Sequence, residues 1–113
     1  MKGSDVLVLG VTYKPDVGDI RESPALDILE ILQAKGAKVS YNDPFVDHIA
    51  VGGLKLKGVA LDEKCLKSAD CLVITTHHSD YDFEWIVQNA HCIVDTRNAT
   101  KGVSGTEGKV FKL

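Results

Sequence analysis

The chain has 113 residues and a formal net charge of -3, a size that predicts one domain around a single hydrophobic core. The acidic balance argues against a general nucleic-acid binder, which gathers a basic excess on one face. No apolar run approaches the roughly 18 residues that span a bilayer, and the start of the chain lacks the apolar core of a secretion signal. We therefore expect a cytoplasmic protein.

The first third of the chain predicts a strand, a helix and a second strand. Residues 5–10, DVLVLG, are typical of a strand covered on both faces in a parallel sheet. Ser23 is expected to cap the helix, with Pro24 in its first turn and Gly36 just past its end. Residues 38–42, KVSYN, form the next strand, which gives a βαβ unit with parallel strands and a right-handed crossover.

The rest of the chain continues to alternate helices and strands. Residues 45–58 show no clear pattern, and a pair of glycines there marks a loop. Four elements follow: helices over residues 62–68 and 82–89, and strands over residues 71–75 and 92–95. The tail, residues 100–113, ends in an extended segment whose docking the pattern leaves open. This alternation predicts an α/β fold: a Rossmann-like open, mostly parallel sheet with helices on both faces, in a single domain.

Charged residues follow the first strand, at the edge where ligands bind in open α/β sheets. This loop has only Gly10 and Gly18 and no GxGxxG turn, so the usual dinucleotide wrapping is not predicted. Lys14 and Arg21 lie close to the amino terminus of the first helix, an arrangement that suits a phosphate or pyrophosphate. The same two cations also have three acids nearby with which to pair on a solvated surface.

Two more residues follow predicted strands and have competing interpretations. Arg97 either pairs with Asp95 at the surface or converges with Lys14 on one ligand, and the strand order decides between them. Asp43 occupies the place of an acid that binds ribose hydroxyls in nucleotide-binding folds. Its sequence context, NDP, is also an ordinary turn in which an aspartate caps local N–H groups, and we favour that interpretation.

Metal and thiol chemistry are not expected. Adjacent histidines at a strand end, His77 and His78, point to opposite sides, and no further histidine has useful spacing for a metal. The three cysteines contain no CxxC pair, which predicts reduced thiols rather than a disulfide framework or a zinc knuckle. All three are expected to pack as small hydrophobes rather than act as nucleophiles: Cys65, Cys71 and Cys92.

Three motifs together carry a family resemblance: LGVTYKPDVGDIRESPALDILEIL, YNDP and VDTRN. They resemble the C-terminal, UDP-binding domain of the UDP-glucose/GDP-mannose dehydrogenase family, and within it the branch that acts on UDP-N-acetylhexosamines. Members oxidise the sugar C6 alcohol to a carboxylate, in two NAD-dependent steps through a cysteine thioester, a reaction of polysaccharide biosynthesis. The cysteine motif and the NAD-binding fingerprint are missing here, so the resemblance implies no catalytic residue in residues 1–113 and a domain that is inactive alone.

The resemblance also assigns roles to four residues. Tyr13, Lys14 and Arg97 match positions that contact the UDP-sugar, and Arg21 matches the position that reaches the NAD pyrophosphate across the interdomain cleft. The implied partners are a UDP-sugar and the remaining domains of a homo-oligomeric enzyme. A free-standing module that senses UDP-sugars is the alternative, and an upstream reading frame with a GxGxxG domain would separate the two. A phosphoacceptor receiver domain ranks last, because no acidic pair follows the first strand.

Overall fold

The computed structural model describes residues 3–12, 16, 20, 23–51 and 54–112. Its elements in chain order are β1 (Asp5–Leu9), α1 (Pro24–Ala34), β2 (Lys38–Asn42), β3 (His48–Val51), β4 (Leu54–Lys57), α2 (Glu63–Ser68), β5 (Cys71–Ile74), α3 (Phe83–Asn89), β6 (Ile93–Asp95) and β7 (Val110–Lys112). Five strands form one parallel sheet in the order β2-β1-β5-β6-β7, and β3 pairs with β4 as an antiparallel hairpin. The predicted open α/β sheet is confirmed.

Each helix begins directly after a capping side chain. The side chains of Ser23, Asp62 and Asp82 each accept a hydrogen bond from a backbone N–H in the first turn of the helix that follows. Pro24 is the first residue of α1, and Gly36 follows its end with a φ of 88°. These local signals need no tertiary contact, because each cap satisfies an N–H group that the helix leaves unpaired.

Two hydrophobic layers cover the sheet from opposite sides. Helices α2 and α3 pack on one face, where Leu7, Leu9, Leu72, Ile74 and Ile93 point toward Leu66, Phe83, Ile86 and Val87. Helix α1 and the β3–β4 hairpin pack on the other face, where Val8 and Tyr41 meet Ala25, Leu29, Ile49 and Leu54. Helices thus lie on both faces, as predicted, and the carboxyl ends of the central strands form one exposed edge between them.

Two segments gain structure that the sequence pattern did not define. Residues 45–58 contain the β3–β4 hairpin, and the tail docks through β7, which pairs in parallel with β6. In the part of the chain that the structure describes, no helix is both long and apolar enough to cross a membrane.

Candidate functional site

Four neighbouring strands end at the same edge of the sheet and bring polar residues together there. Residues 10–12 follow β1, Asp43 follows β2, residues 75–79 follow β5 and residues 96–100 follow β6. Since β1 and β5 are the two central strands of this group, their loops are in direct contact.

A buried His78 connects the loops that follow β1, β2 and β5. Its Nε2 lies 2.9 Å from Oδ2 of Asp43 and 3.2 Å from Oγ1 of Thr12. Its Nδ1 accepts the backbone N–H of Asp16 at 2.8 Å, so in a neutral ring the proton is on Nε2 and points to the Asp43 carboxylate. His78 is completely buried, and its two ring nitrogens thus hold three loops in one arrangement.

Asp43 has a structural role, because protein donors use both of its carboxylate oxygens. Oδ1 accepts a hydrogen bond from the N–H of Phe45 within the turn, at 2.8 Å. Oδ2 accepts one from the N–H of Val11 at 2.8 Å and lies 2.9 Å from Nε2 of His78. The interpretation as a turn cap is confirmed, and it extends to the loop after β1. The Asp43 side chain is also fully buried, which leaves it little access to a ribose hydroxyl.

Asp16 ties the loop after β1 to the loop after β5. Its carboxylate accepts the N–H of Ser79 at 2.7 Å and the hydroxyl of Ser79 at 2.6 Å. These two hydrogen bonds lower the pKa of Asp16 below its ordinary value. Asp16 has a φ of 63°, a left-handed conformation that aspartate tolerates better than most residues. This acid of the loop therefore anchors the loop after β1 to the loop after β5.

Gly10 lets the loops after β1 and β5 approach closely. Its φ is 86°, and a Cβ at this position would lie 2.4 Å from Cβ of Thr76. The hydroxyl of Thr76 donates to the carbonyl of Thr12 at 2.7 Å, and the hydroxyl of Thr75 donates to the carbonyl of Gly10. The two threonines thus bind the first residues of the loop that leads to Tyr13 and Lys14.

Asp95 shapes the loop that carries Arg97. Its carboxylate accepts the N–H groups of Arg97, Ala99 and Thr100 at 2.9–3.0 Å, and the Thr100 hydroxyl at 2.7 Å. Burial raises the pKa of this carboxyl, but the hydrogen bonds from Thr100, Ala99 and Arg97 outweigh burial and lower the pKa overall. Asp95 thus binds the backbone N–H of Arg97, while Nε of the Arg97 side chain donates to the carbonyl of Thr75.

The Arg97 side chain extends over the end of β5, toward β1. Its Nε donates to the carbonyl of Thr75 at 3.1 Å, and the Thr75 hydroxyl in turn donates to Gly10. Strand β6 is separated from β1 by β5 alone, so Arg97 lies near the loop after β1 rather than at a remote rim of the sheet. Tyr13, Lys14 and Arg21 lie outside the described residues, and their convergence with Arg97 stays a prediction.

Other polar groups near this edge suit neither a metal nor a phosphate. His77 is exposed and stacks edge-on against Phe83, while His78 is buried, so the pair points to opposite sides. In the described ranges, no group of three or more His, Cys, Asp or Glu residues is arranged to hold a metal ion. A hollow of about 240 Å³ lies near the end of β2 and the start of α3. Its lining includes Asp80 and Asp82, whose carboxylates would repel a phosphate.

Sequence reasoning missed the positioning role of His78. It considered this histidine only as a metal ligand, whereas the structure uses it as a hydrogen-bonded core residue. The available signal was its position: a histidine a few residues after a buried strand, at the edge where Asp43 follows another strand. His78 contacts the rings of Phe45 and Tyr81, so tertiary packing decides which of the two adjacent histidines turns inward.

A family model described as the UDP binding domain of the UDP-glucose/GDP-mannose dehydrogenase family matches residues 7–102. The chain belongs to the UDP-glucose/GDP-mannose dehydrogenase family. The match includes the last three residues of β1, the loop after it, and every strand end described above. The resemblance inferred from the three sequence motifs is thereby confirmed.

Relatives of known name agree with this membership. The chain is 34% identical over 104 residues to UDP-glucose 6-dehydrogenase of Rhizobium meliloti, covering 87% of this chain and 24% of that protein. It is 36% identical over 76 residues to UDP-N-acetyl-D-mannosamine dehydrogenase of Methanococcus maripaludis, covering 67% of this chain and 16% of that protein. The chain therefore spans about a quarter or less of the curated relatives that it matches.

Solved structures show the same fold. The UDP-N-acetyl-mannosamine dehydrogenase of S. aureus aligns with 99% of this chain and 27% of its own, with a TM-score of 0.73 and 29% identity. The UDP-D-ManNAc dehydrogenase of Pyrococcus horikoshii aligns with 96% of this chain and 25% of its own, with a TM-score of 0.71 and 29% identity. The UDP-glucose/GDP-mannose dehydrogenase member described here thus has the architecture of one domain of those longer enzymes.

Proposed function

We propose that residues 1–113 are the UDP-binding domain of an NAD-dependent UDP-sugar 6-dehydrogenase. The enzyme would oxidise the C6 alcohol of a UDP-N-acetylhexosamine or of UDP-glucose to a carboxylate, for polysaccharide biosynthesis. Relatives named UDP-glucose 6-dehydrogenase and UDP-N-acetyl-D-mannosamine dehydrogenase support this reaction class. The observation that carries the proposal is the placement of Arg97, whose side chain bonds the end of β5 beside the loop that follows β1.

The chemistry of a pyrophosphate explains why a binding site would form here. A diphosphate needs cations and N–H donors arranged before it arrives, and each charge-assisted hydrogen bond contributes about 1.5–3 kcal/mol. Arg97 binds the Thr75 carbonyl through Nε, which fixes at this edge a guanidinium whose charge and planar set of donors suit a diphosphate. Tyr13 and Lys14 would approach the same UDP-sugar from the loop after β1. Hydrogen bonds from Thr75 and Thr76 hold the start of that loop.

NAD would be bound mainly by another domain of the enzyme. The loop after β1 has no GxGxxG turn, so this chain is not built to wrap a dinucleotide pyrophosphate on its own. Arg21 would reach the NAD pyrophosphate from across the interdomain cleft, and NAD would supply the hydride acceptor. No residue of this chain is assigned to catalysis, and the assembled enzyme would be a homo-oligomer that binds no metal through this domain.

Calorimetry with UDP tests the substrate site in this chain. We expect measurable but weak binding, since half of the cleft belongs to other domains. Arg97→Ala and Lys14→Ala should each weaken the binding about tenfold or more, as the loss of one charge-assisted hydrogen bond implies.

Lys101→Ala is the matched control. Lys101 is an exposed cation in the same loop region as Arg97, so its removal changes the net charge equally without touching the proposed site. UDP binding that is equally strong in the two site variants and in the control would refute the assignment. Inorganic pyrophosphate in place of UDP would show how much of the affinity comes from the uridine.

A further inference from the structure

Two of the three cysteines lie side by side at the edge of the sheet opposite to the proposed UDP site. Cys71 is the first residue of β5, Cys92 directly precedes β6, and their Sγ atoms are 3.8 Å apart. The backbone N–H of Leu72 donates to the carbonyl of Cys92 at 2.8 Å, which holds the two strands together at this level. The cysteines are separated by 21 positions in the sequence, so only the strand pairing brings them together.

The geometry of this pair suits a disulfide. Neighbouring strands lie about 4.8 Å apart, which falls within the range of Cα separations that a disulfide bridges, about 4.4–6.8 Å. Both side chains point to the same face of the sheet, because β5 and β6 pair in register. The two sulfur atoms would have to approach by about 1.8 Å to reach bonding distance, a change that side-chain rotation supplies.

Reagents can reach both thiols in the structure. Cys71 and Cys92 are each partly exposed, and they are on the face of the sheet that carries α1. Helix α1 and the β3–β4 hairpin form their hydrophobic cluster mainly over β1 and β2. On the same face of the other strands, Val73 and Val94 are partly exposed and Phe111 is 55% exposed.

We propose that Cys71 and Cys92 form a reversible dithiol–disulfide site that is oxidised by low-molecular-weight disulfides. One cysteine sulfur, as a thiolate, attacks a sulfur of the small disulfide and displaces one small thiol, which leaves a mixed disulfide. The second cysteine loses its proton and attacks the protein sulfur, forming the Cys71–Cys92 bond and displacing the second small thiol. The protein is oxidised by two electrons and the small disulfide is reduced by two, and excess small thiol reverses both steps.

Attack by Cys71 should be slow at neutral pH. Burial, and then the neighbouring Cys92, raise the pKa of the Cys71 thiol to about 11, so the Cys71 thiolate is scarce near pH 7. The site is therefore expected to respond to sustained oxidising conditions and to react faster as the pH rises.

Mass spectrometry of the folded chain after incubation with oxidised glutathione tests the proposal. We expect a monomer about 2 Da lighter, a single Cys71–Cys92 peptide after digestion, and full reversal by reduced glutathione. Cys65→Ser is the matched control and should still lose about 2 Da, because Cys65 is on α2 and is not a partner of the pair. Cys71→Ser and Cys92→Ser should instead stop at a stable mixed disulfide with glutathione.

Oxidation in urea separates proximity in the fold from simple reactivity. The unfolded chain should give disulfides that include Cys65, whereas the native chain should give the Cys71–Cys92 pair alone. A native protein that keeps its full mass would overturn the proposal. Native disulfides that involve Cys65, or a 2 Da loss that persists in the Cys92→Ser variant, would overturn it equally.

Discussion

Arg97 donates from its Nε to the backbone carbonyl of Thr75, at 3.1 Å. This bond joins two residues that are 22 positions apart and that each follow a different strand. It places a cation over the end of β5, next to the strand that leads into the loop with Tyr13 and Lys14. The bond uses Nε and orients a planar, charged guanidinium of the kind that suits a diphosphate.

Arg97→Lys should weaken UDP binding even though the charge is kept. A lysine has no Nε–H that can hold the Thr75 carbonyl while a second donor faces the ligand. We expect about a tenfold loss of affinity by calorimetry, with the free energy of unfolding changed by no more than about 0.5 kcal/mol. An affinity equal to the wild type would show that charge alone, and not the geometry of the guanidinium, matters here.

Asp95→Asn should destabilise the domain and impair the UDP site together. The amide keeps one acceptor oxygen but turns an N–H₂ group toward donors that the other carboxylate oxygen accepts. These are either the N–H groups of Arg97 and Ala99 at Oδ1, or the N–H and hydroxyl of Thr100 at Oδ2. The expected loss of unfolding free energy is about 1–3 kcal/mol, measured by urea unfolding. Glu107→Gln, at an exposed position outside the strands, should change it by less than about 0.5 kcal/mol.

The acid dependence of stability gives a second measurement on Asp95. Its pKa in the folded protein is below its ordinary value, so the carboxylate stabilises the fold at neutral pH. This contribution disappears as the pH falls from about 4 through the lower folded pKa. The D95N variant has no carboxylate to protonate here. Between about pH 6 and pH 3 its unfolding free energy should therefore fall less than that of the wild type. A parallel decline of the two proteins would contradict this assignment.

Gly10→Ala should cost more than about 2 kcal/mol of unfolding free energy. Two causes act together, since the φ of 86° disfavours any side chain and the new Cβ would lie 2.4 Å from Cβ of Thr76. Gly105→Ala separates these causes, because Gly105 has a φ of 79° but no atom within 4 Å of the added Cβ. That control should lose about 1–2 kcal/mol. Equal losses at the two glycines would mean that the close approach to Thr76 does not matter.

His78→Leu should destabilise the domain by about 2–4 kcal/mol, because the Asp43 carboxylate and the Asp16 N–H would each lose a buried partner. His77→Leu is the matched control at the adjacent exposed position and should change the unfolding free energy by less than about 1 kcal/mol. Nitrogen NMR of the wild type near neutral pH provides an independent check. We expect a proton on Nε2 and none on Nδ1 of His78, and a spectrum with the reverse tautomer would contradict the network.

Cys71 should react slowly with iodoacetamide at neutral pH. Since its pKa is raised to about 11, the rate should increase about tenfold for each pH unit between pH 7 and pH 10. Cys92→Ser should increase the rate at a given pH, because the neighbouring thiol is one of the causes of the raised pKa. Burial is the larger cause and remains, so the increase should be partial. Peptide mass spectrometry of the alkylated residue measures both rates.

Local signals in the sequence determined most of the elements. Ser23 and the helix patterns over residues 62–68 and 82–89 predicted the three helix starts to within a residue, because a cap acts on N–H groups within its own first turn. The apolar runs predicted β1, β5 and β6 because strands buried on both faces need them. The β3–β4 hairpin and the docking of β7 were not predicted, since their short, partly exposed strands are stabilised by pairing partners rather than by their own pattern.

The sequence by itself determined the fold class, the family and the identity of the candidate residues, because motif and periodicity are properties of neighbouring positions in the chain. Only the tertiary structure decided which of those residues meet. Strand order and register place Arg97 against Thr75, turn His78 inward onto Asp43, and bring Cys71 beside Cys92. Each of these contacts joins residues on different strands or strand-end loops. Parallel strands pair through backbone hydrogen bonds, which are independent of side-chain identity. No local pattern in the sequence therefore shows which strands are neighbours.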